Sequence, residues 1–295
     1  MRPITNGNGV RYLSEPGFLF WLESSVCAEA GAVSRGWTIR AARCGTAVER
    51  VLPDTRACLY VNLGPVGRHL VEPNASTRVT APRAAWVVGP HADPLFVAKE
   101  TADCDIVALR LRAGSIPRVL QIPAAELTGR LVDLDLLWGR SAVERLRSRL
   151  SSERDPRRRL RMLRAEVERR ARTGASDGER IRRLCSEVAR VRGGSIRSIA
   201  DRFGLSHRRV IQIFDAHVGL KPKAFQRVSR LRRTLERLDG DRSLPLARVA
   251  YEAGYSDQSH FANEFRRLTG LTLSAYSRSR SPVDEGFVAH VRAMP

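Results

Sequence analysis

The stretch IADRFGLSHRRVIQIF, Ile199 to Phe214, contains two short amphipathic segments separated by a glycine. Ala200 lies four residues before Gly204, and Val210 and Phe214 follow the glycine on one face of a second predicted helix. A helix-turn-helix corner needs this order, because a small side chain belongs where the helices cross and the turn needs a residue that tolerates positive φ. Ser206 stands where it can cap the second helix. The stretch therefore predicts a helix-turn-helix unit whose second helix has one free face.

A looser copy, VAYEAGYSDQSHFANEF, begins fifty residues later. The second copy repeats the structural roles of the first with Ala250, Gly254, Ser256, Phe261 and Phe265. One more residue separates the glycine from the first buried position, so we expect a turn that is longer by one residue. A single corner of this kind is often only a way to pack two helices, whereas a second copy in the same chain favours paired DNA-reading units.

The segment between the copies, PKAFQRVSRLRRTLERLDG, predicts one amphipathic helix that starts at Pro222 and ends near Gly240. Its apolar residues recur every three or four positions: Phe225, Val228, Leu231, Leu235 and Leu238. A helix of about 17 residues is about 25 Å long, which is enough to hold both units as one rigid piece. Two recognition helices on one face, about 34 Å apart, can enter successive major grooves of one duplex.

The charge of the chain favours a polyanionic partner. The formal net charge is +20, and the region from Glu179 to Ser281 carries 22 basic and 10 acidic residues. Nearly all the basic residues are arginine, so part of the excess reflects the coding bias of a GC-rich genome. The remainder makes double-stranded DNA the expected partner.

The region from Ile181 to Arg278 resembles the DNA-binding domain of AraC-type transcription regulators. The resemblance is carried by IADRFGLSHRRVIQIFDAHVGLKP, by GYSDQSHFANEF and by RRLTGLTLSAYSR. It implies a sequence-specific regulator, an activator that contacts RNA polymerase, in a bacterial cytoplasm. It also implies base contacts from one set of exposed residues: Arg208, Ile211, Gln212, Gln258, Ser259 and Asn263. Phosphate contacts are expected from a second set: His207, Arg209 and Arg266.

The chain departs from the family pattern at two places. Family members often have arginine where Gln212 and Asn263 stand, so the base preference need not follow any relative. Where the family tends to have Ser-Pro, this chain has Thr272 and Leu273, and we expect the last helix to start less sharply.

The N-terminal half reads differently. Between Trp37 and Leu111, short runs rich in β-branched and aromatic residues alternate with turn clusters, which predicts an antiparallel barrel or sandwich. Beyond Ser115 the period becomes helical, with one helix expected over Leu136 to Leu150 and a basic one from Pro156, either solvated, packed in a dimer or touching DNA. This half loosely resembles the β-rich sensor or dimerisation domains of such regulators, which implies room for a small-molecule effector or a homodimer. Tyr60, Trp86 and Phe96 could line a pocket, although aromatic residues in strands more often form the core.

The predicted architecture is α+β and multidomain. Residues 1–172 form a β-rich sensor or dimerisation domain with C-terminal helices, and residues 173–178 form a linker. Residues 179–281 form the double helix-turn-helix domain, whose two units are joined by a linker helix, and residues 282–295 form a tail.

The sequence argues against several other classes. It has no apolar run of membrane-spanning length, so we expect a cytoplasmic protein, and it carries none of the common hydrolase, zincin or nucleotide-binding motifs. Its scattered cysteines, Cys27, Cys44, Cys58, Cys104 and Cys185, contain no C-x-x-C pair, so we expect reduced thiols, no metal and no cofactor. Two alternatives stay open: a DNA binder indifferent to sequence, and a regulator that accepts alkyl groups from damaged DNA on a cysteine.

Overall fold

A computed structural model describes the chain over residues 4–5, 10–15, 18–26, 31–42, 47–64, 68–71, 78–80, 84–99, 104–172, 178–190, 195–240, 246–255, 257–279 and 287–291. A β-rich N-terminal region, followed by helices that pack on it, precedes an all-helical C-terminal region. The α+β class and the order of the two regions are as the sequence predicts.

Antiparallel pairing organises the strands into two sheets. The strands are β1 Ile4–Thr5, β2 Val10–Glu15, β3 Phe18–Val26, β4 Val33–Ala42, β5 Ala47–Val51, β6 Cys58–Asn62, β7 Arg68–Val71, β8 Arg78–Thr80, β9 Ala85–Val88, β10 Leu95–Lys99, β11 Cys104–Leu111, β12 Leu131–Asp133 and β13 Phe287–Val291. The larger sheet has the order β1-β2-β3-β4-β11-β6-β9-β12, and the smaller has the order β13-β5-β10-β7-β8. The antiparallel strands that the sequence predicts between Trp37 and Leu111 are present among β4 to β11. The tail, which the sequence left without an assignment, adds β13 to the edge of the smaller sheet.

The central strands β6, β9 and β11 of the larger sheet are buried on both faces. One face carries aliphatic residues such as Leu59 and Leu109 and packs against helices. The other face carries Trp37, Tyr60 and Trp86, and the rings of Tyr60 and Trp86 stack with centroids 5.4 Å apart. Tyr60 and Trp86 therefore belong to the core, as the commoner interpretation of strand aromatics predicts.

The helices are α1 Ile116–Leu120, a 3-10 helix Ala124–Leu127, α2 Leu134–Trp138, α3 Arg140–Ser152, α4 Pro156–Arg172, α5 Gly178–Arg190, α6 Ile196–Arg202, α7 His207–His217, α8 Pro222–Gly240, α9 Leu246–Ala253, α10 Gln258–Thr269 and α11 Leu273–Ser279. The single helix expected over Leu136 to Leu150 is wrong. Gly139 adopts φ +83° and divides it into α2 and α3, and this leaves Leu136 exposed instead of buried. Most of the expected linker, residues 173–177, lies outside the described residues.

The basic helix α4 is anchored to the larger sheet. Arg159 is buried and places its Nη1 2.9 Å from Oδ2 of Asp105, while Glu168 accepts hydrogen bonds from the backbone of Ala32. Its apolar stripe, with Leu160 and Leu163, joins the core beneath. No described helix has the length and apolar character required to cross a membrane.

Candidate nucleic-acid interface

The first helix-turn-helix unit is α6 and α7. Ala200, Val210 and Phe214 are fully buried, and Gly204 adopts φ +62° in the turn. The backbone N–H of Leu205 donates to the carbonyl oxygen of Ala200 at 2.9 Å, which closes the end of α6 over the glycine. The small side chain and the glycine thus occupy the places that their predicted roles require.

The second unit, α9 and α10, repeats this geometry. Ala250, Phe261 and Phe265 are buried, Gly254 adopts φ +84°, and the N–H of Tyr255 donates to the carbonyl oxygen of Ala250 at 3.1 Å. Residues 205–206 separate the glycine from the second helix in the first unit and residues 255–257 do so here, so the longer turn is confirmed.

Both recognition helices begin with a side-chain cap. Ser206 Oγ accepts from the N–H of Arg209 at 3.1 Å, and Asp257 Oδ1 accepts from the N–H of His260 at 2.7 Å. A cap fixes the first turn of a helix and leaves its remaining N–H groups facing solvent. The extra turn residue makes Asp257 the structural counterpart of Ser206, whereas the neighbouring Ser256 lies outside the described residues.

Counting from the caps pairs the predicted contact residues. Arg208 and Ser259 are both second in their helices, and Gln212 and Asn263 are both sixth. All four side chains are exposed. Positions two and six of a helix lie four residues apart, so within each helix the two side chains lie on the same face. The side chains of Arg208, Ser259 and Asn263 make no hydrogen bond or ion pair with any residue that the structure describes.

The remaining predicted residues are also exposed. His207 and Gln258 open the two helices, and Arg266 lies in the last turn of α10. Ile211 is 37% exposed, and its counterpart in α10 is the smaller Ala262.

Two features of these helices were missed by sequence reasoning. Nη1 of Arg209 lies 3.4 Å from Oε1 of Gln212, so a residue assigned to phosphate also orients one assigned to a base. His260 is exposed at the position equivalent to Arg209, and counting from the cap, instead of from the glycine, identifies it. It is therefore a further candidate for a phosphate contact.

The last helix, α11, begins sharply at Leu273. Oγ1 of Thr272 accepts from the N–H of Ala275 at 3.1 Å and so caps the helix. The expectation of a less sharp start is wrong, because threonine supplies the same capping oxygen that serine would.

The connecting helix α8 belongs to both units. Its bounds agree with the prediction, and its apolar stripe is divided between two cores. Phe225 meets the ring of Phe214 at 5.3 Å in the first core, while Leu231 and Leu235 lie in the second. Both helix-turn-helix units therefore pack against the same helix, α8.

A buried ion-pair cluster ties α8 to the N-terminal region. Oδ2 of Asp54 lies 2.9 Å from Nη2 of Arg232 on α8 and 3.4 Å from Nε of Arg110, and Oδ1 lies 3.0 Å from Nε of Arg56. Arg232 also donates to the carbonyl oxygens of Leu52 and Pro53. Burial alone would raise the pKa of Asp54, but Arg232, Arg56 and Arg110 more than offset it and hold that pKa well below its usual range.

The C-terminal ends of both recognition helices also meet the N-terminal region. Thr128 donates to the carbonyl oxygen of Gly219, just beyond α7, at 2.6 Å. Arg50 donates to the carbonyl oxygen of Thr269, the last residue of α10, at 3.0 Å. The first turns of both helices stay exposed. The N-terminal region of the chain therefore contacts the recognition helices at their opposite, C-terminal ends.

The described thiols are buried and weakly acidic. Burial raises the pKa of Cys185 to about 12 and also raises that of Cys58. Among the residues that the structure describes, no three His, Cys, Asp or Glu side chains come together as a metal site would require.

Comparison with known proteins identifies the C-terminal region. Residues 199–279 match the family model described as a helix-turn-helix domain. No curated protein matches the chain. Solved structures of ToxT from Vibrio cholerae superimpose with low scores: the P21 form has a TM-score of 0.46 at 11% identity, covering 87% of this chain and 98% of ToxT. The unsaturated fatty acid bound wild-type ToxT of strain SCE256 has a TM-score of 0.45 at 12% identity, covering 93% and 97%. Scores this low carry no inference about ligand or target.

Proposed function

We propose that this chain, in which residues 199–279 are a helix-turn-helix domain of the AraC type, is a sequence-specific transcription regulator that activates its targets. The observation that carries the proposal is the equivalent geometry of the two helix-turn-helix units. Each presents a capped helix whose exposed second and sixth positions carry groups suited to base edges, and both helices rest on α8.

The chemistry of each exposed side chain suggests its role on DNA. Arg208 can donate two hydrogen bonds to a guanine, and Gln212, Gln258 or Asn263 can pair with an adenine. Ile211 suits the methyl group of thymine, and Ser259 suits either kind of base edge. These residues would select the sequence.

A second group of side chains would set the position of the protein on the duplex. His207, Arg209, Arg266 and the newly identified His260 are suited to phosphate oxygens. The exposed N–H groups at the start of α7 and α10 attract phosphate for the same electrostatic reason. Residues of this group would contribute affinity with little sequence preference.

The remaining parts of the proposal follow from this role. The protein would act without catalysis or a cofactor, in the bacterial cytoplasm, and would contact RNA polymerase once it is bound near a promoter. The N-terminal region would respond to a small molecule and could form a homodimer. The domain limits proposed for these roles are residues 1–172, 173–178, 179–281 and 282–295.

Genome-wide binding of the purified full-length protein to sheared genomic DNA tests the proposal. At about 150 mM salt, phosphate attraction between separated charges is screened. A regulator gives a few sharp peaks that share a two-part motif with one fixed spacing. Even, strongly salt-dependent coverage would refute sequence-specific binding and favour a non-specific DNA binder.

Arg208→Ala then tests the assignment of a single residue. We expect a loss of about 1–3 kcal/mol confined to one base position, with relaxed specificity there. The matched variant is Arg145→Ala, which removes one positive charge from an exposed position on α3. Equal weakening on all sequences would show that Arg208 contacts only phosphate.

A further inference from the structure

A cleft of about 310 Å³ lies between the N-terminal region and the helices α5 and α8. We propose that this cleft binds a small polyanion, a molecule with two or more carboxylate or phosphate groups, which bridges the two regions and thereby alters DNA binding. Only the effect on DNA rests on the proposed function; the binding site itself does not.

The charge of the cleft is strongly one-sided. Its described lining includes five arginines and a single carboxylate: Arg56, Arg112, Arg182, Arg232, Arg233 and Glu236. Asp54 pairs with Arg56 and Arg232, and Glu179 pairs with Arg182. The positive charges still outnumber the negative ones when these two carboxylates are counted. Guanidinium groups bind carboxylate and phosphate through paired hydrogen bonds, so the excess favours an anion of this type.

The neutral polar groups of the lining also suit an anion. Four hydroxyl groups line the cleft, those of Ser34, Thr55, Ser186 and Ser229. The Ser34 hydroxyl donates to the carbonyl oxygen of Arg110, and each of the other three can donate a hydrogen bond to an anion. The apolar part of the described lining consists of small or isolated side chains: Ala113, Cys185, Ala189 and Phe225. A long hydrocarbon chain would find little apolar surface here, so a compact hydrophilic anion fits better than an amphiphile.

The position of the cleft connects it to both regions. Arg56 and Arg112 come from the N-terminal region, Arg182 from α5, and Arg232 and Arg233 from α8. Tyr60 and Trp86 do not line this cleft, because both are buried and stack on each other in the core. An anion held by arginines of both regions would strengthen the contact that Asp54 already makes with α8.

Calorimetric titration of the full-length protein with pyrophosphate and with citrate tests the site without any DNA. Decanoate serves as the amphiphilic comparison, and about 150 mM sodium chloride screens the general positive charge. We expect saturable binding of at least one polyanion with one molecule per chain. Binding of decanoate alone, or of none of the three probes, would overturn the proposal.

Two kinds of variant locate the binding. The pair Arg112→Gln and Arg182→Gln removes two cleft charges, and we expect it to weaken binding by about tenfold or more. The matched pair Arg145→Gln and Arg161→Gln removes two exposed charges from α3 and α4 and should leave binding unchanged. Equal weakening by both pairs would show a non-specific ionic effect and refute the site.

Ser186→Phe fills the cleft without changing charge, so it separates occupancy from electrostatics. We expect it to abolish polyanion binding while the circular dichroism spectrum stays that of the wild type. Loss of binding in Arg208→Ala instead would move the anion to the recognition helices and overturn the proposal. DNA affinity measured with and without the bound polyanion then tests the regulatory part: an unchanged affinity would refute that part while leaving the site intact.

Discussion

Replacing Asp54 by asparagine removes a buried negative charge that three guanidinium groups share. The side chain keeps its size and one carbonyl oxygen, so packing is nearly preserved. What changes is the charge balance around Arg110 and Arg232, both of which are buried. Arg232 lies on α8, so the substitution also weakens the contact between α8 and the N-terminal region.

The magnitude follows from the burial and the three distances. Asp54 is 2% exposed, and its carboxylate oxygens lie 2.9, 3.0 and 3.4 Å from the nitrogens of Arg232, Arg56 and Arg110. Removing one partner of a buried ion pair typically costs about 3–5 kcal/mol, because the remaining charge stays buried without compensation. We expect a loss of this size in the free energy of unfolding of Asp54→Asn.

Urea unfolding followed by two signals measures the effect. The four tryptophans all precede Gly139, so their fluorescence reports the N-terminal region, while far-ultraviolet circular dichroism reports mainly the helices. Glu179→Gln neutralises an exposed carboxylate that pairs with Arg182, and it should leave the midpoint almost unchanged. A loss below about 1 kcal/mol in Asp54→Asn would refute the view that this cluster joins the two regions.

Three further predictions concern backbone strain, acid stability and thiol reactivity. Gly204 and Gly219 both have positive φ, but a Cβ at Gly219 would lie 2.6 Å from Oγ1 of Thr128 whereas Gly204 has open space, so Gly219→Ala should lower the thermal midpoint clearly more than Gly204→Ala. Equal effects would show that the contact with Thr128 contributes nothing. Because the pKa of Asp54 is lowered by folding, its stabilisation is complete above the unfolded pKa of about 3.9 and is lost as the pH falls below that value. The difference in stability between wild type and Asp54→Asn should therefore shrink from about pH 4 downward, and a constant difference down to pH 2 would contradict it. Cys185 should resist iodoacetamide in the native protein at pH 8, since its pKa is raised to about 12, and site-resolved mass spectrometry that finds rapid native labelling would refute its burial.

The parts of the structure that the sequence predicts are those set by near neighbours. The positions of Ala200 and Gly204, and of Ala250 and Gly254, follow from contacts within one corner, and they predict both units. The apolar spacing of α8 predicts its length because a helix repeats every 3.6 residues. The contact residues themselves could be assigned only as exposed positions on these helices.

The parts that the sequence does not predict depend on distant residues or on single backbone angles. Arg232 and Arg233 are adjacent and chemically identical, yet of these two only Arg232 lies within ion-pair distance of Asp54. Asp54 and Arg232 are far apart in the chain, so the sequence does not show which arginine makes the pair. The break at Gly139 depends on one positive φ inside an otherwise helical pattern. The arginines of the cleft come from four separate segments of the chain, so no local pattern could reveal it.

The two recognition helices present different side chains at equivalent positions, so the proposed DNA-binding surface is asymmetric. The first helix presents His207 and Arg208 where the second presents Gln258 and Ser259, although both stand on the same rigid α8. A DNA site bound by one copy would therefore be asymmetric in sequence, in contrast to the palindromic half-sites of a symmetric dimer. Inverting such a site beside a promoter would turn the N-terminal region to the opposite side. The orientation of the site, as well as its sequence, would then decide whether transcription responds.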